Sequence, residues 1–324
     1  MDKAKIAFII NPKSGTKGKE DLPGLIRKII STEKFDVTIV RTEYAGHGRE
    51  LARQFVEEKY DYVIACGGDG TMNEVASELT ETETCFGIVP YGSGNGLARH
   101  LSISMIPSKA LRQINKRMVK RIDYGMANDK KFFCTCGTGF DAHVSHRFAV
   151  QGKRGFLTYL KTICTEYIKY KPYVYTLKSG FIKITQQAFL VTFANASQYG
   201  NNAFIAPQAS TTDGLIDVCV FKPFSIFAIP LLAFRLFRKE IDKSKHISTI
   251  QVPEVTLVRP EPGEFHIDGD PVYMEAEIHV RVIHGALKVI VGRPFNMDLI
   301  LRARLMYARR NIKKNAKRLF DKDK

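Results

Sequence analysis

Residues 62–79, YVIACGGDGTMNEVASEL, join an apolar run, a glycine-rich turn and a helix-like segment. A turn of this composition between a strand and a helix presents backbone N–H groups to an anion with no Cβ in the way. It therefore predicts a phosphate-binding loop. Its one carboxylate, Asp69, is unfavourable beside a phosphate unless a divalent cation or a proton in transfer is also present. The combination favours phosphoryl transfer over simple nucleotide binding.

Strand-like and helix-like segments alternate through residues 1–121. The predicted strands are 5–10, 37–41, 62–66 and 86–90, and the predicted helices are 21–30, 46–58, 72–79 and a segment from 97 onward. Such alternation predicts a parallel sheet flanked by helices, with ligands bound at the carboxyl ends of the strands. Three loops are expected at that edge, at 11–15, 67–71 and 91–96. None is a Walker A loop, because no GxxxxGKS/T motif occurs.

A purely structural interpretation of the central motif stays open beside the functional one. A glycine-rich turn between a strand and a helix is often only a turn. Thr71 and Glu74 also form the capping-box pattern T-x-x-E, which starts a helix without any ligand. That pattern does not explain Asp69, and three such loops at one sheet edge favour a binding site.

The second half of the chain is richer in strands. Strands are predicted at 131–136, 173–177, 180–185, 188–194, 215–221, 249–258, 264–267 and 277–291, and helices at 154–169 and 225–239. We therefore expect an α/β domain with a parallel sheet at 1–121, followed by a mainly antiparallel β domain at 122–297. Residues 298–324 are predicted to form a basic helix that packs back on the first domain.

The net charge of +16 is concentrated at the end of the chain. Residues 299–324 hold ten Lys and Arg against two Asp, which is half of the excess. Such a tail attracts nucleic acid or an anionic membrane surface, and its simpler interpretation is a solvated helix face. Nucleic-acid binding rests on the pI of about 9.5 alone, with no recognisable base-reading module, so we expect no nucleic-acid partner.

The spacing of the cysteines and the length of the apolar segments indicate where in the cell the protein is expected. The six cysteines form no CxxC pair, and Cys134 and Cys136 share one face of a predicted strand, where they are poorly placed for a disulfide or a zinc site. The longest apolar segment, 224–237, is interrupted by Pro230 and Arg235 and is shorter than the roughly 20 residues of a spanning helix. We expect a cytoplasmic protein that associates peripherally with membranes.

Several motifs together resemble, in order and spacing, the catalytic domain of the diacylglycerol kinase and sphingosine kinase superfamily. GGDGT alone is weak evidence, since NAD kinases share it, whereas the segments around and after it are specific for lipid kinases. In chain order the motifs are NPKSG (11–15), Thr42 with GHG (46–48), GGDGTMNEV (67–75), PYGSGNGLAR (90–99), RIDYG (121–125), GTGFDAHV (137–144), FANASQYG (193–200), IAPQASTTDGLIDV (205–218) and HIDGD (266–270). The resemblance covers nearly the whole chain.

The resemblance implies that ATP, accompanied by Mg²⁺, binds in the cleft between the two domains. The residues implied to contact it are Asn11, Pro12, Lys13, Ser14, Gly15, Thr42, Gly67, Gly68, Gly70, Thr71, Met72, Asn73, Glu74, Ser93, Gly94 and Asn95.

The resemblance leaves two candidates for the catalytic base. In bacterial diacylglycerol kinases the proton acceptor is a glutamate in a DGE turn, and in sphingosine kinases it is the aspartate of the GGDGT-like motif. This chain has Asp270 at the glutamate position, one methylene shorter, and Asp69 in GGDGT. We expect these two carboxylates to face each other across the cleft, one orienting metal or phosphate and the other acting as the base.

Three further expectations come from the same resemblance. Asp213 and the Leu215 carbonyl are implied to hold a structural Mg²⁺, although a turn before a strand also explains them. Asp141 is the candidate contact to the polar head of the lipid. Gly96 stands where many bacterial diacylglycerol kinases have aspartate, and this loop is closer to that of sphingosine kinases.

The expected function is an ATP-dependent lipid kinase that phosphorylates diacylglycerol or a related lipid at a membrane surface, with anionic lipid as a partner. The alternatives are a sphingoid-base kinase, an NAD kinase-like enzyme, and a nucleotide-responsive membrane-binding protein with little turnover. Edge strands of the second domain could also pair two copies into a homodimer.

Overall fold

The computed structural model describes residues 3–15, 21–151, 162–163 and 165–292. Its first part alternates strands and helices as the sequence predicts. The elements are β1 (Ala4–Ile10), α1 (Leu22–Ile29), β2 (Phe35–Arg41), α2 (His47–Glu57), β3 (Tyr62–Gly67), α3 (Asp69–Leu79), β4 (Cys85–Pro90), α4 (Gly96–His100) and α5 (Pro107–Ile114). These four strands pair in parallel in the order β2-β1-β3-β4.

The remainder of the chain is dominated by strands. The elements are β5 (Val119–Ala127), β6 (Lys130–Phe132), β7 (Thr135–Gly139), α6 (Phe140–Gln151), β8 (Tyr173–Ser179), β9 (Ile182–Ala188), β10 (Leu190–Ala194), β11 (Ile216–Phe221), α7 (Ile229–Phe237), β12 (Ile247–Val252), β13 (Glu254–Val258), β14 (Gly263–Ile267), β15 (Asp270–Met274) and β16 (Glu277–Ile290). A 3₁₀ turn at Ile226–Ala228 precedes α7, and another follows it at Ile241–Lys243.

Two sheets organise these strands. The first continues beyond β4 in the order β4-β16-β13-β8-β9, with β5 also paired to β16, and every pair beyond β16 is antiparallel. The second is antiparallel throughout, in the order β12-β11-β10-β7-β14-β15. The predicted fold class, an α/β part with a parallel sheet and a mainly antiparallel β part, is confirmed.

Alternating and continuous apolar runs explain two of the three apolar cores in the described part of the chain. Strands β1 and β3 are buried on both faces, as expected for parallel strands covered by helices, and Phe8 and Ile64 are fully enclosed there. A second core lies between the two sheets, where Phe193 of β10 and Phe265 of β14 meet Leu257 of β13.

The predicted strand 249–258 is wrong as a single element. Pro253 divides it into β12, which pairs in the second sheet, and β13, which pairs in the first. Because proline has no N–H to donate, it interrupts a ladder, and the chain crosses between sheets at this point. The sequence patterns also missed β5, β15 and α6, and they did not separate α4 from α5 or β6 from β7.

Other expectations concern the chain termini and the membrane. The predicted basic helix at 298–324 lies outside the described residues. In the described part of the chain, no helix has the length and apolar character needed to cross a bilayer.

Candidate active site

The three predicted loops meet at the carboxyl ends of β1, β3 and β4. The Gly67 carbonyl accepts hydrogen bonds from the N–H groups of Tyr91 and Gly92, at 2.8 and 3.2 Å. The Asn11 amide donates to the Thr71 hydroxyl at 2.9 Å. Loops 11–15, 67–71 and 91–96 therefore form one surface, as expected for neighbouring parallel strands.

Glycines bring these backbones into direct contact. Gly15 has φ of +80°, and a Cβ there would collide with the Tyr91 carbonyl oxygen. A Cβ on Gly92 would lie 2.6 Å from the Cα of Gly68. Side chains cannot occupy these two positions, so the loops pack backbone against backbone there, and such bare segments let a phosphate approach the main chain closely.

The beginning of α3 points toward this surface. The helix begins at Asp69, and the first hydrogen bond along it runs from the Met72 N–H to the Gly68 carbonyl at 3.0 Å. The amides before Met72 are therefore not used within the helix. Such amides at a helix N-terminus are suited to bind an anion, and they lie where the sequence predicts a phosphate.

Asp69 is held by the neighbouring loop. Its two carboxylate oxygens accept the N–H groups of Asn95 and Gly96, each at 2.8 Å. Burial raises the pKa of Asp69 to about 6, against the effect of these two hydrogen bonds, and the nearby carboxyls of Asp268 and Asp270 raise it as well. Asp69 thus ties loop 91–96 to the start of α3.

Two further residues of α3 connect it to other segments. Glu74 accepts the Gly46 N–H at 3.0 Å, which fixes the GHG segment at the beginning of α2. The Asn73 amide donates to Asp268 at 2.8 Å and to the Lys131 carbonyl at 3.1 Å. The NEV sequence that follows GGDGT therefore links the α/β part to the β-rich part.

Asp268 is a central residue that the sequence patterns did not single out. Besides the Asn73 amide, its carboxylate accepts the N–H groups of Phe133, Cys134 and Thr135 at 2.7 to 3.1 Å. The group is enclosed by protein, and this burial raises its pKa although all four donors lower it. Asp268 joins the β14–β15 turn to the segment before β7 and to α3.

Asp270 follows in the same turn and lies beside the start of α3. A Cβ built on Gly70 would be 3.3 Å from Asp270 Oδ2. Within the described residues, no hydrogen bond engages this carboxyl group. Although Asp270 is a solvent-exposed residue, partial desolvation of its carboxyl raises its pKa to about 6, the carboxyls of Asp268 and Glu74 raise it further, and His266 opposes the shift. Asp270 is therefore an available proton acceptor next to the predicted phosphate site.

The remaining residues predicted to bind nucleotide lie on or beside the same loops. The Lys13 N–H and the Ser14 hydroxyl bond to the side chain and carbonyl of Asn11, at 2.9 and 3.2 Å, in the turn that includes Pro12. The Thr42 N–H donates to the Ile10 carbonyl at 2.9 Å.

The third loop is shaped by Asn95. Its side chain accepts the Gly92 N–H at 3.1 Å and donates to the Gly92 carbonyl at 2.6 Å. Ser93 is exposed at the tip, and a Cβ on Gly94 would lie 2.8 Å from Asp69 Oδ2. At Gly96 a Cβ would be 3.0 Å from the Cys134 sulfur, so this chain has no room for the aspartate of the related loops.

Asp141, the predicted contact to the lipid head, lies in a buried polar cluster. Its Oδ2 accepts the hydroxyls of Thr192 and Tyr199, both at 2.9 Å, and is 3.1 Å from His266 Nε2. His266 belongs to β14, which leads directly to the turn that carries Asp270. The cluster and the candidate base are thus joined through one strand.

The predicted metal residues lie in a turn elsewhere. Asp213 Oδ1 accepts the Leu215 N–H at 3.2 Å. The next residue, Gly214, donates to the fully buried carboxylate of Asp123 at 2.8 Å, and His284 Nδ1 is also 2.8 Å from Asp123. Among the described residues, no group of three Asp, Glu, His or Cys side chains surrounds a common point.

The raised pKa of Asp270 leads to a prediction about pH. A base must be deprotonated, so kcat/KM is expected to fall about tenfold per pH unit below about pH 6 and to level off above it. Rates measured from pH 4.5 to 8 test this. Asp69 also has a pKa of about 6. The variant His266→Gln is therefore used to decide which of the two carboxyls causes the inflection.

Since His266 lowers the pKa of Asp270, the inflection should move to higher pH in His266→Gln. His266 is not among the groups that shift the pKa of Asp69. An inflection at the same pH in His266→Gln and the wild type would therefore assign the titration to Asp69 instead. A flat profile from pH 4.5 to 8 would show that no carboxyl with a pKa near 6 controls the rate.

Comparisons with known proteins show which families the chain resembles. Residues 5–127 match the family described as the diacylglycerol kinase catalytic domain. Residues 134–291 match the family described as the YegS C-terminal NAD kinase beta sandwich-like domain. The two matches together span most of the chain.

Related proteins carry kinase names. A probable lipid kinase, YegS-like, from Chromohalobacter salexigens is 29% identical over 255 residues, which is 75% of this chain and 79% of that protein. A diacylglycerol kinase from Bacillus subtilis is 26% identical over 285 residues, 83% of this chain and 90% of that protein. A solved structure of a diacylglycerol kinase from Bacillus anthracis has the same fold, with a TM-score of 0.72, 22% identity, and coverage of 91% of this chain and 98% of that one.

Proposed function

This chain belongs to the diacylglycerol kinase-like superfamily of lipid kinases, and on that premise we propose that it transfers the γ-phosphoryl group of ATP to the hydroxyl of diacylglycerol or a closely related lipid. The observation that carries the proposal is the position of the Asp270 carboxyl beside Gly70, where the bare loops meet the start of α3. A phosphate site and an available base are then adjacent.

The chemistry requires orientation and one proton acceptor. ATP supplies the phosphoryl group, and Mg²⁺, when present with ATP, would neutralise charge that develops during the transfer. The backbone N–H groups of loops 11–15, 67–71 and 91–96 hold the phosphates. Asp270 accepts the proton of the lipid hydroxyl while the oxygen of that hydroxyl forms a bond to the γ-phosphorus and ADP leaves. Asp69 acts by ordering loop 91–96, because its two oxygens are already engaged.

Substrate identity is tested by comparing acceptors. Initial rates with radiolabelled ATP are measured against diacylglycerol, monoacylglycerol, sphingoid base, ceramide and undecaprenol in mixed micelles, with NAD as the soluble alternative. We expect diacylglycerol to give the highest kcat/KM. A higher value for a sphingoid base would reassign the substrate, and labelling of NAD alone would overturn the proposal.

A structural Mg²⁺ is proposed at Asp213 and the Leu215 carbonyl. One carboxylate and one carbonyl are few protein donors, but Mg²⁺ keeps several waters and takes oxygen ligands, so these residues fit a hydrated ion. Saturating Mg²⁺ is expected to raise the free energy of unfolding by about 1 to 3 kcal/mol. Thermal unfolding with and without EDTA measures this, and Asp213→Asn should abolish the difference. An equal effect of Mg²⁺ on both proteins would place the ion elsewhere.

A further inference from the structure

Helix α7 and the 3₁₀ turn before it present large apolar side chains to solvent. Phe227 is 90% exposed, Leu231 53% and Phe234 56%. Their spacing of four and then three residues places them on one face. On the opposite face Leu232 is buried and Leu236 packs against the apolar cluster of the second sheet. A helix that is apolar on both faces indicates an apolar partner on the side away from the core.

Cations extend this face. Arg238 follows Phe234 by four residues, and its guanidinium carbon lies 5.4 Å from the centroid of the Phe234 ring. Lys239 comes next, with its ammonium 4.3 Å from the Phe204 ring, and Lys222 is exposed before the 3₁₀ turn. Apolar side chains flanked by exposed cations match the acyl region and the phosphate groups of an anionic bilayer.

The same helix is connected to the candidate active site. The Phe204 N–H donates to the Leu236 carbonyl at 3.0 Å, which joins α7 to the segment 199–206. In that segment the Asn201 N–H donates to the Gly94 carbonyl at 3.1 Å. Gly94 belongs to the loop held by Asp69. Helix α7 is therefore linked to loop 91–96 through segment 199–206.

We propose that the docking face, formed by Phe227, Leu231, Phe234 and Arg238, inserts into the interface of an anionic lipid bilayer. The contact holds the enzyme at the surface where its substrate resides, and this consequence for catalysis rests on the proposed lipid kinase function. A protein partner, or coverage of the face by another segment of this chain, would be the competing occupants.

Sedimentation of the full chain with vesicles tests the docking face. The vesicles are phosphatidylcholine alone or with phosphatidylserine, and the variant is Phe227→Gln with Leu231→Gln and Phe234→Gln. Its affinity for the anionic vesicles should be at least about tenfold below that of the wild type. The matched control, Tyr44→Gln with Ile106→Gln, removes side chains that are 52% and 50% exposed in the α/β part, and it should bind like the wild type.

A second variant tests the charges with little risk to folding. Lys222→Gln with Arg238→Gln should lose roughly fivefold in affinity per cation for anionic vesicles and little for neutral ones. Wild-type protein that does not sediment with vesicles, or a triple variant that binds like the wild type, would overturn the proposal. Either result would assign the face to a competing occupant.

Kinase rates separate this proposal from the proposed function. With diacylglycerol in anionic vesicles, the triple variant should be at least about tenfold slower than the wild type. With a monomeric short-chain diacylglycerol, the two proteins should have the same rate. Equal rates of the two proteins in vesicles would contradict the docking role. Absence of transfer to any lipid by the wild type would overturn the proposed function, while the sedimentation result would still decide the docking face.

Discussion

Replacing Asp270 with asparagine is expected to lower kcat for lipid phosphorylation by about 100- to 10,000-fold, the usual contribution of a positioned base. Asparagine has almost the same shape but cannot accept the proton of the lipid hydroxyl. Because no hydrogen bond engages this carboxyl within the described residues, the change leaves no buried donor without a partner. Steady-state rates in mixed micelles give kcat, and titration with an ATP analogue should show affinity within a few-fold of the wild type.

Asp129→Asn is the matched control for this variant. It makes the same chemical change at an exposed turn between β5 and β6, so it should leave kcat and the melting temperature unchanged. If Asp270→Asn kept kcat within a few-fold of the wild type, Asp270 would not be the base. The role of Asp69 would then need direct testing.

Asp268→Ala is expected to lower the free energy of unfolding by about 3 kcal/mol, because it leaves several enclosed donors without an acceptor. These donors are the N–H groups of Phe133, Cys134 and Thr135 and the amide of Asn73. The turn that carries Asp270 should shift with it, so kinase activity should be lost as well. Urea denaturation at 25 °C measures the change in stability.

Asn73→Ala provides a graded comparison. It removes only one of the four donors to Asp268 and should cost about 1 kcal/mol of unfolding free energy. Asp129→Ala, at the exposed turn, should have no measurable effect. If the free energy of unfolding of Asp268→Ala lay within about 1 kcal/mol of the wild-type value, the four hydrogen bonds would not be what fixes this turn.

The local pattern of the sequence predicted the α/β part and its binding edge well. Strands β1, β3 and β4 are each a short apolar run followed by a turn that contains glycine, and parallel strands bring such turns together at one edge. The meeting of Asn11, Gly67 and Tyr91 therefore follows from the order of the elements. The resemblance to lipid kinases also directed attention to Asp270.

Other features depend on contacts between distant segments, which spacing does not reveal. Asp268 binds three consecutive N–H groups more than 130 positions earlier in the chain, and nothing local distinguishes it from Asp270 two residues later. Asp69 appears from its motif to face a ligand, whereas the fold turns its oxygens to the amides of Asn95 and Gly96.

The β-rich part shows the same limit. An apolar and β-branched run such as 249–258 predicts strand structure, but the pairing partner of each half is set by the whole fold. Likewise, the apolar composition of segment 224–237 alone does not distinguish a helix in the core from one that contacts lipid. Only its position in the fold shows that Leu232 is buried while Phe227 is exposed.

The central claim is that this cleft moves the γ-phosphoryl group of ATP onto a lipid hydroxyl. Parallel reactions with γ-labelled and α-labelled ATP and diacylglycerol micelles test it most directly, with the lipid extracted and ADP quantified. We expect γ-label in a lipid phosphomonoester, formed in equal amount with ADP, and no α-label in the lipid. Release of the γ-label only as free phosphate, or its recovery in NADP when NAD is present, would contradict the claim.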